Sequence, residues 1–147
     1  MAKKNNPPIS GGKALVECLK ANNVKHVFGL IGSATMELFD ALYDEKSIKF
    51  IDVRDERTGA HMADAYARAS GKLGVIIAGQ NGPGATNLVT GVAQAKAAFS
   101  PLLSIAGAIA TEHKGKDAFQ EVDQQKLFEP ITKKTFSIDK TKNIAVE

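Results

Sequence analysis

Gly74-Val75-Ile76-Ile77-Ala78-Gly79-Gln80-Asn81-Gly82-Pro83-Gly84-Ala85-Thr86-Asn87 is the stretch that decides the fold. Gly74 to Ala78 is a short, β-branched apolar run and reads as a buried strand. Gly82, Pro83 and Gly84 break the chain, and an Ala-rich helix is expected from Ala85 to Ala98. A strand that passes through a glycine turn into a helix is half of a βαβ crossover.

The same alternation extends in both directions. Toward the N-terminus, Ala14, Leu15, Cys18 and Leu19 give Lys13 to Ala21 helical spacing, with Ser10 available as its cap. Val27 to Ile31 reads as a strand closed by Gly29 and Gly32. Met36, Leu38, Phe39 and Leu42 restore a helical period, and Ile48 to Val53 is again short and β-branched. A polar cluster, Arg54 to Arg57, then leads into a helix over Thr58 to Ser70. Toward the C-terminus, Leu102 to Ala106 is the next strand, followed by a polar loop from Thr111 to Gln120. Lys133 to Ile138 reads as a further strand, with Asp139 capping a last helix that is barely two turns old at Glu147. The expectation is an α/β domain over residues 10–147, a parallel sheet with helices on both faces, apparently truncated in its last helix. Such a truncation would expose a sheet edge and apolar surface, and so predicts self-association or poor stability.

Composition excludes several classes. The chain has 147 residues, 44% hydrophobic and 24% charged, which suits one core-forming domain. The most apolar run, Pro101 to Ala110, is half of what a bilayer-spanning helix needs and is interrupted by Ser104, so no membrane partner is expected. Residues 1–9 read as a flexible lead-in, Lys/Asn/Pro-rich with no apolar segment behind it, and the expected location is cytoplasmic. The net charge of +3 comes mainly from lysines scattered over both ends, and aromatics make up only 6%. Nucleic acid is therefore not an expected partner. Cys18, the single cysteine, fits core packing. His26, His61 and His113 form no ligand spacing and read as surface or interface residues.

In parallel sheets, ligands sit off the carboxyl ends of the strands. The segments Gly29 to Ser33, Arg54 to Arg57, Gln80 to Asn87 and Thr111 to Gln120 all fall there. Gly79 to Asn87 places glycine backbone and a helix start where an anion could approach, yet it matches neither of the common phosphate-cradling patterns. A tight structural turn explains it equally well. Ser33 is not in a nucleophile-elbow motif. Glu56 stands out because it follows a strand at the ligand edge. Burial favours the protonated form of a carboxyl group, which can then donate a hydrogen bond. The plainer alternative is that Glu56 pairs with Arg54 or Arg57, or caps the helix that follows.

Taken in order, Val27-Phe28-Gly29-Leu30-Ile31-Gly32, then Asp55-Glu56-Arg57 with Ala60-His61-Met62-Ala63-Asp64-Ala65-Tyr66-Ala67-Arg68, then Gly82-Pro83-Gly84-Ala85-Thr86-Asn87, then Phe119-Gln120-Glu121 resemble the pyrimidine-binding domain of the thiamine diphosphate enzymes of the acetolactate synthase group. Within that group, Gly32-Ser33-Ala34 with Met36, Gln80-Asn81, and Phe119-Gln120-Glu121-Val122-Asp123-Gln124 look most like sulfoacetaldehyde acetyltransferase, which forms acetyl phosphate and sulfite from sulfoacetaldehyde and phosphate. One departure is Asp55, where the family usually has His.

The resemblance implies that Glu56 is the catalytic carboxyl group, donating a hydrogen bond to N1′ of the aminopyrimidine and so favouring the tautomer that deprotonates the thiazolium. It implies cofactor contacts from Gly29, Ile31, Gly32, Gly82, Pro83, Gly84 and Asn87. Ser33, Gln80, Asn81 and Gln120 would face a small-molecule substrate. The family's diphosphate and Mg²⁺ are held by a separate domain with a G-D-G motif that is absent here, so a diphosphate-binding domain or subunit is an implied partner, the assembly an implied homo-oligomer, and this chain alone catalytically incomplete. The alternatives are an acetolactate synthase-type or 2-oxoacid decarboxylase subunit, including a split enzyme, and a non-catalytic assembly module of the same fold.

Overall fold

The computed structural model describes residues 8–146. Most of the expected lead-in therefore lies outside the described residues. The ordered chain alternates α1 (Gly11–Ala21), β1 (His26–Gly29), α2 (Met36–Asp44), β2 (Lys49–Asp52), α3 (Glu56–Ser70), β3 (Gly74–Ala78), α4 (Pro83–Ala97) and β4 (Leu102–Ala106), with a short α5 (Gln124–Phe128). The strands pair in the order β2-β1-β3-β4, each neighbour parallel. β1 and β3 are adjacent although β2 lies between them in the chain, so the sheet reverses its direction of growth at that seam.

Two hydrophobic layers cover the sheet, as the period of two along each strand requires. Val27, Val75 and Ile77 face α1 and α2, packing with Val16, Leu19, Leu38, Phe39 and Leu42. Phe28, Ile76 and Ala78 face the other way, onto Ala60 and Ala63 of α3 and Ala85, Leu88 and Val92 of α4. The small residues of α3 and α4 allow close approach: a Cβ on Gly91 would fall 2.4 Å from the Cβ of Ala60. Cys18 is half-buried, beside the core positions Val16 and Leu19 rather than among them.

Caps account for most shifts in element boundaries. Ser10 Oγ accepts from Lys13 N at 3.2 Å, which starts α1 at Gly11. Asp55 accepts from Arg57 N and Thr58 N, so α3 begins at Glu56, two residues before the expected Thr58. Pro83, at the first position of α4, starts that helix two residues before the expected Ala85.

The C-terminal expectation fails. Residues 133–138 form no strand, and the sheet has four strands among the described residues. No backbone ladder bond reaches this segment. Its apolar side chains stay exposed, Phe136 at 41% and Ile138 at 42%, and the Lys134 ammonium sits 4.5 Å from the centroid of the Phe136 ring. Side-chain bonds from Lys114 Nζ to Ser137 and Asp139 hold the segment to the loop after β4. Asp139 caps no helix because its carboxylate is already engaged with Lys114, at 3.3 Å, and only a single 3-10 turn, Thr141–Asn143, follows.

At the amino end of the strands, Asp64 of α3 is fully buried. It accepts from Arg68 Nη2 at 2.8 Å, from Gln94 Nε2 at 2.9 Å and from Ser100 Oγ, tying α3 to α4 and to the turn before β4. Burial is the largest single influence and pushes this carboxyl up, but the bonds from Ser100, Gln94 and Arg68 together outweigh it and hold it below its ordinary value. A carboxyl group depressed in the folded state contributes stability that is present above its unfolded pKa and lost as pH falls through the folded one. Unfolding by urea is therefore expected to become easier below about pH 4, and Asp64→Ala to cost about 2–4 kcal/mol at pH 7 with a flattened acid limb. A variant as stable as wild type at pH 7 would refute this role.

Candidate functional site

Four loops leave the carboxyl ends of the strands, and backbone contact joins three of them. After β1, the chain runs through Leu30, Ile31 and Gly32 into a 3-10 turn, Ser33–Thr35. A Cβ on Gly32 would lie 2.2 Å from Gly79 O, and one on Gly79 would lie 2.4 Å from Leu30 O. The loops after β1 and β3 thus touch main chain to main chain at the seam where an open α/β sheet takes ligands. The buried Thr35 hydroxyl bridges the same pair, donating to Ala78 O at 3.2 Å and Gly79 O at 3.3 Å. Across the next gap, a Cβ on Gly107, just past β4, would meet Ala34 Cβ and O at 2.6 Å.

The turn before α4 is shaped by its partner loop. Gly82 has φ 56°, a left-handed conformation that glycine adopts without steric cost. A Cβ there would stand 2.2 Å from Gln120 O. Gln120 is itself left-handed, with φ 62°. Asn81 Nδ2 clamps it, donating to Gln120 O at 3.2 Å and to Phe119 O at 3.3 Å. The approach to Gln120 is ordered by Glu121, whose carboxylate accepts from the N–H groups of Gly115 and Ala118. The Gly115 N–H is the leading cause that holds the Glu121 carboxyl below its ordinary value, with burial opposing it.

Glu56 opens α3 and is 4% exposed. Neither arginine takes it: Arg57 approaches Asp55 instead, at 3.8 Å, and no ion pair involves Glu56 among the described residues. Nor does Glu56 cap its helix, a role filled by Asp55. Its Oε2 accepts from Asn87 Nδ2 of α4 at 3.0 Å. A Cβ on Gly84 would come within 3.0 Å of Glu56 Oε1 and 3.4 Å of the Gln80 Cβ, so glycine at this position lets the start of α4 pack closely against the carboxyl group and the Gln80 side chain.

The remaining polar residues connect to this centre. Ser33 Oγ donates to Gln80 Oε1 at 2.8 Å, and Gln80 Nε2 donates to Gln120 Oε1 at 2.9 Å. Ile31 is 58% exposed beside them and Pro83 is exposed at the start of α4. Gly29 is buried as the last residue of β1, where a Cβ would lie 3.0 Å from the Phe50 ring and from Ile77 O. The structure thus brings Glu56, Gly84 and Asn87 into one group, and Ser33, Gln80, Asn81, Gly82 and Gln120 into another, with Gly84 between them. Thr35 and Gly107 are not among the residues that the sequence motifs single out. Their signals are a hydroxyl and one small residue next to turns, which only tertiary contact distinguishes from ordinary loop composition.

The three histidines do not converge on this edge as a ligand set. His26 meets the Tyr66 hydroxyl at 3.3 Å on the way into β1, and His113 is exposed. Among the described residues, no group of three or more His, Cys, Asp or Glu could hold a metal ion. No helix among them is long and apolar enough to cross a membrane.

Residues 9–127 match a family model described as the N-terminal TPP binding domain of thiamine pyrophosphate enzymes. The chain is 46% identical over 136 residues to a probable acetolactate synthase large subunit of Methanocaldococcus jannaschii, covering 92% of this chain and 23% of that protein. A probable acetolactate synthase large subunit of Methanococcus aeolicus is 47% identical over 133 residues, 90% of this chain and 22% of the relative. The acetolactate synthase isozyme 3 large subunit of Escherichia coli is 40% identical over 136 residues, 92% of this chain and 24% of the relative. The chain spans about a quarter of the length of these curated relatives.

Removing one clamp on the Gln120 loop should loosen that loop and little else. Asn81→Ala is expected to speed amide hydrogen exchange at Glu121, whose N–H donates to Ala118 O, by roughly tenfold, the equivalent of one net hydrogen bond, while exchange in β3 stays as in wild type. Unchanged exchange at Glu121 would count against the clamp.

Proposed function

The chain belongs to the thiamine pyrophosphate enzymes as their N-terminal TPP binding domain, and on that premise we propose that its strand-end edge receives the aminopyrimidine ring of thiamine diphosphate, with Glu56 as the activating carboxyl group. The observation that carries the reading is a carboxyl group buried at the strand-end edge, held by Asn87 and close to Gly84, with no cationic partner among the described residues. When bound, thiamine diphosphate supplies a nucleophilic carbon for attack on a substrate carbonyl.

In this reading, Glu56 holds a proton on a carboxyl oxygen and shares it with the ring nitrogen N1′. Asn87 keeps Oε2 occupied as an acceptor, so that oxygen is fixed in orientation and Oε1 is the one presented. Gly29, Ile31, Gly32, Gly82, Pro83 and Gly84 shape the walls around the ring, and Ser33, Gln80, Asn81 and Gln120 face a small-molecule substrate. Asp55, standing where the family usually has His, acts as the N-cap that sets Glu56 at the first helical position.

The relatives named above favour an acetolactate synthase-type enzyme, and we adopt that substrate class, 2-oxo acids, over the sulfoacetaldehyde acetyltransferase reading drawn from the short motifs around Ser33 and Gln80. None of the relatives reported carries the sulfoacetaldehyde name. The diphosphate and its Mg²⁺ would be held by a separate domain, and the working unit would be a cytoplasmic homo-oligomer. The coverage of about a quarter of each relative supports further domains in the complete enzyme.

Calorimetry with thiamine diphosphate and Mg²⁺, on this chain combined with a diphosphate-binding domain of an acetolactate synthase, tests the proposal. Wild type is expected to bind and to exchange the cofactor's C2 hydrogen for deuterium. Glu56→Gln keeps the size and the Asn87 bond but is expected to slow that exchange by about 10²–10⁴-fold. Exchange at the wild-type rate in Glu56→Gln would remove Glu56 from this role.

A further inference from the structure

The seam between β1 and β3 has a second end. At the amino end of the sheet, away from the strand-end edge, the segments entering β1 and β3 wall a cavity of about 250 Å³. Its lining is apolar at Val24, which is 4% exposed, and at Leu73, which packs against the core. Tyr66 of α3 adds an aromatic wall, its hydroxyl 3.3 Å from His26 Nδ1 and its ring 5.2 Å from the imidazole, centroid to centroid. Lys25, Lys72 and Asn23, all exposed, complete it.

The charge at this cavity is uncompensated. Among the described residues, no acidic side chain lines it, and neither lysine ammonium has an ion pair or a hydrogen-bond partner. α1 and α3 both end beside it, and the unpaired carbonyl groups of a helix end are the usual place for the charge of a lysine. Here those carbonyls are already taken up. Cys18 O accepts from both the N–H and Nδ2 of Asn22, while Leu19 O and Lys20 O accept from Val24 N and Asn23 N. At the end of α3, Tyr66 O accepts from Ser70 Oγ, and Ala67 O from Gly71 N. What remains at the cavity is two ammonium groups, each a triple donor with no acceptor of its own, beside apolar surface and an aromatic ring.

We propose that this cavity is a second binding site, separate from the strand-end edge, which takes a small organic phosphate monoester. The dianionic head lies between Lys25 and Lys72, and the carbon body lies on Val24, Leu73 and the Tyr66 ring. Two compact ammonium charges match a phosphate that carries close to two negative charges at neutral pH. The apolar lining favours an ester over the bare ion, because burying its carbon body adds to affinity. The volume falls below the range of sites for drug-sized ligands, which restricts the ester to a small one.

The test is nuclear magnetic resonance on the ¹⁵N-labelled 147-residue chain, titrated in turn with phenyl phosphate, phenol and inorganic phosphate at about pH 7.5, where the ester is a dianion. Phenyl phosphate is expected to give saturating shifts at residues 22–25, 66 and 72–73, half-complete near about 1 mM, with phenol and inorganic phosphate roughly tenfold weaker or worse. Lys25→Gln and Lys72→Gln are each expected to weaken binding roughly tenfold, and the two together to abolish saturation. The melting temperature should not change, because both side chains are exposed. Shifts that do not saturate, binding by the double variant as tight as wild type, or inorganic phosphate as tight as phenyl phosphate overturns the proposal. So does a saturating response confined to residues 80–87, which assigns the ester to the strand-end edge instead.

Discussion

The main-chain contact between Gly32 and Gly79 is the constraint on which the candidate site depends. Any side chain at either position would enter the backbone of the other loop, at 2.2 Å or 2.4 Å from a carbonyl oxygen. With both positions glycine, the loops after β1 and β3 meet at the seam of the sheet, and Thr35 ties the pair by its hydroxyl. Ser33 and Gln80 then come within hydrogen-bond reach although 47 positions separate them. A wider gap at this seam would leave each polar side chain to water.

The two ends of the α3–α4 pair show how one packing interface serves two purposes. At the amino end of the sheet, Asp64 is buried with its oxygens satisfied by Ser100, Gln94 and Arg68, an arrangement that fixes the helices against each other. At the carboxyl end, Glu56 is buried with Asn87 on one oxygen and the side-chain-free Gly84 packed beside the other. Both are acidic residues of the same helix, and both lie against α4. What separates a structural carboxylate from a candidate reactive one is the count and kind of its partners: Asp64 has a guanidinium, an amide and a hydroxyl, whereas Glu56 has one amide and, among the described residues, no cation.

The loop that carries Gln120 completes the site from outside the compact α/β layers. It has little apolar anchorage of its own, since Phe119 is 83% exposed. Its position is set by polar contacts instead: Glu121 folding its carboxylate into the preceding turn, Asn81 holding two carbonyls, and Gln80 holding the side chain. Such a loop is well placed but lightly held, as expected where an element must both line a site and admit a ligand.

The sequence by itself determined the layer architecture. Runs such as Gly74 to Ala78 and Leu102 to Ala106 have the length and branching of buried parallel strands, and the strand at each matches its expected bounds. Ser10 declared a helix start through chemistry confined to a few neighbouring residues. The order of Glu56, the Gly82 to Asn87 turn and Gln120 along the chain was also readable, because those motifs are local. The segment Lys133 to Ile138 was misread because alternation of apolar residues states that a strand is possible, not that a ladder partner exists. Only the tertiary structure decided which oxygen of Glu56 is held, that Asp55 rather than Glu56 caps α3, and that Ser33, Gln80 and Gln120 form one relay. The physical reason is that hydrogen bonds and close glycine contacts depend on distances between residues about 30 to 50 positions apart, and those distances come into being only when the two helical layers close over the sheet.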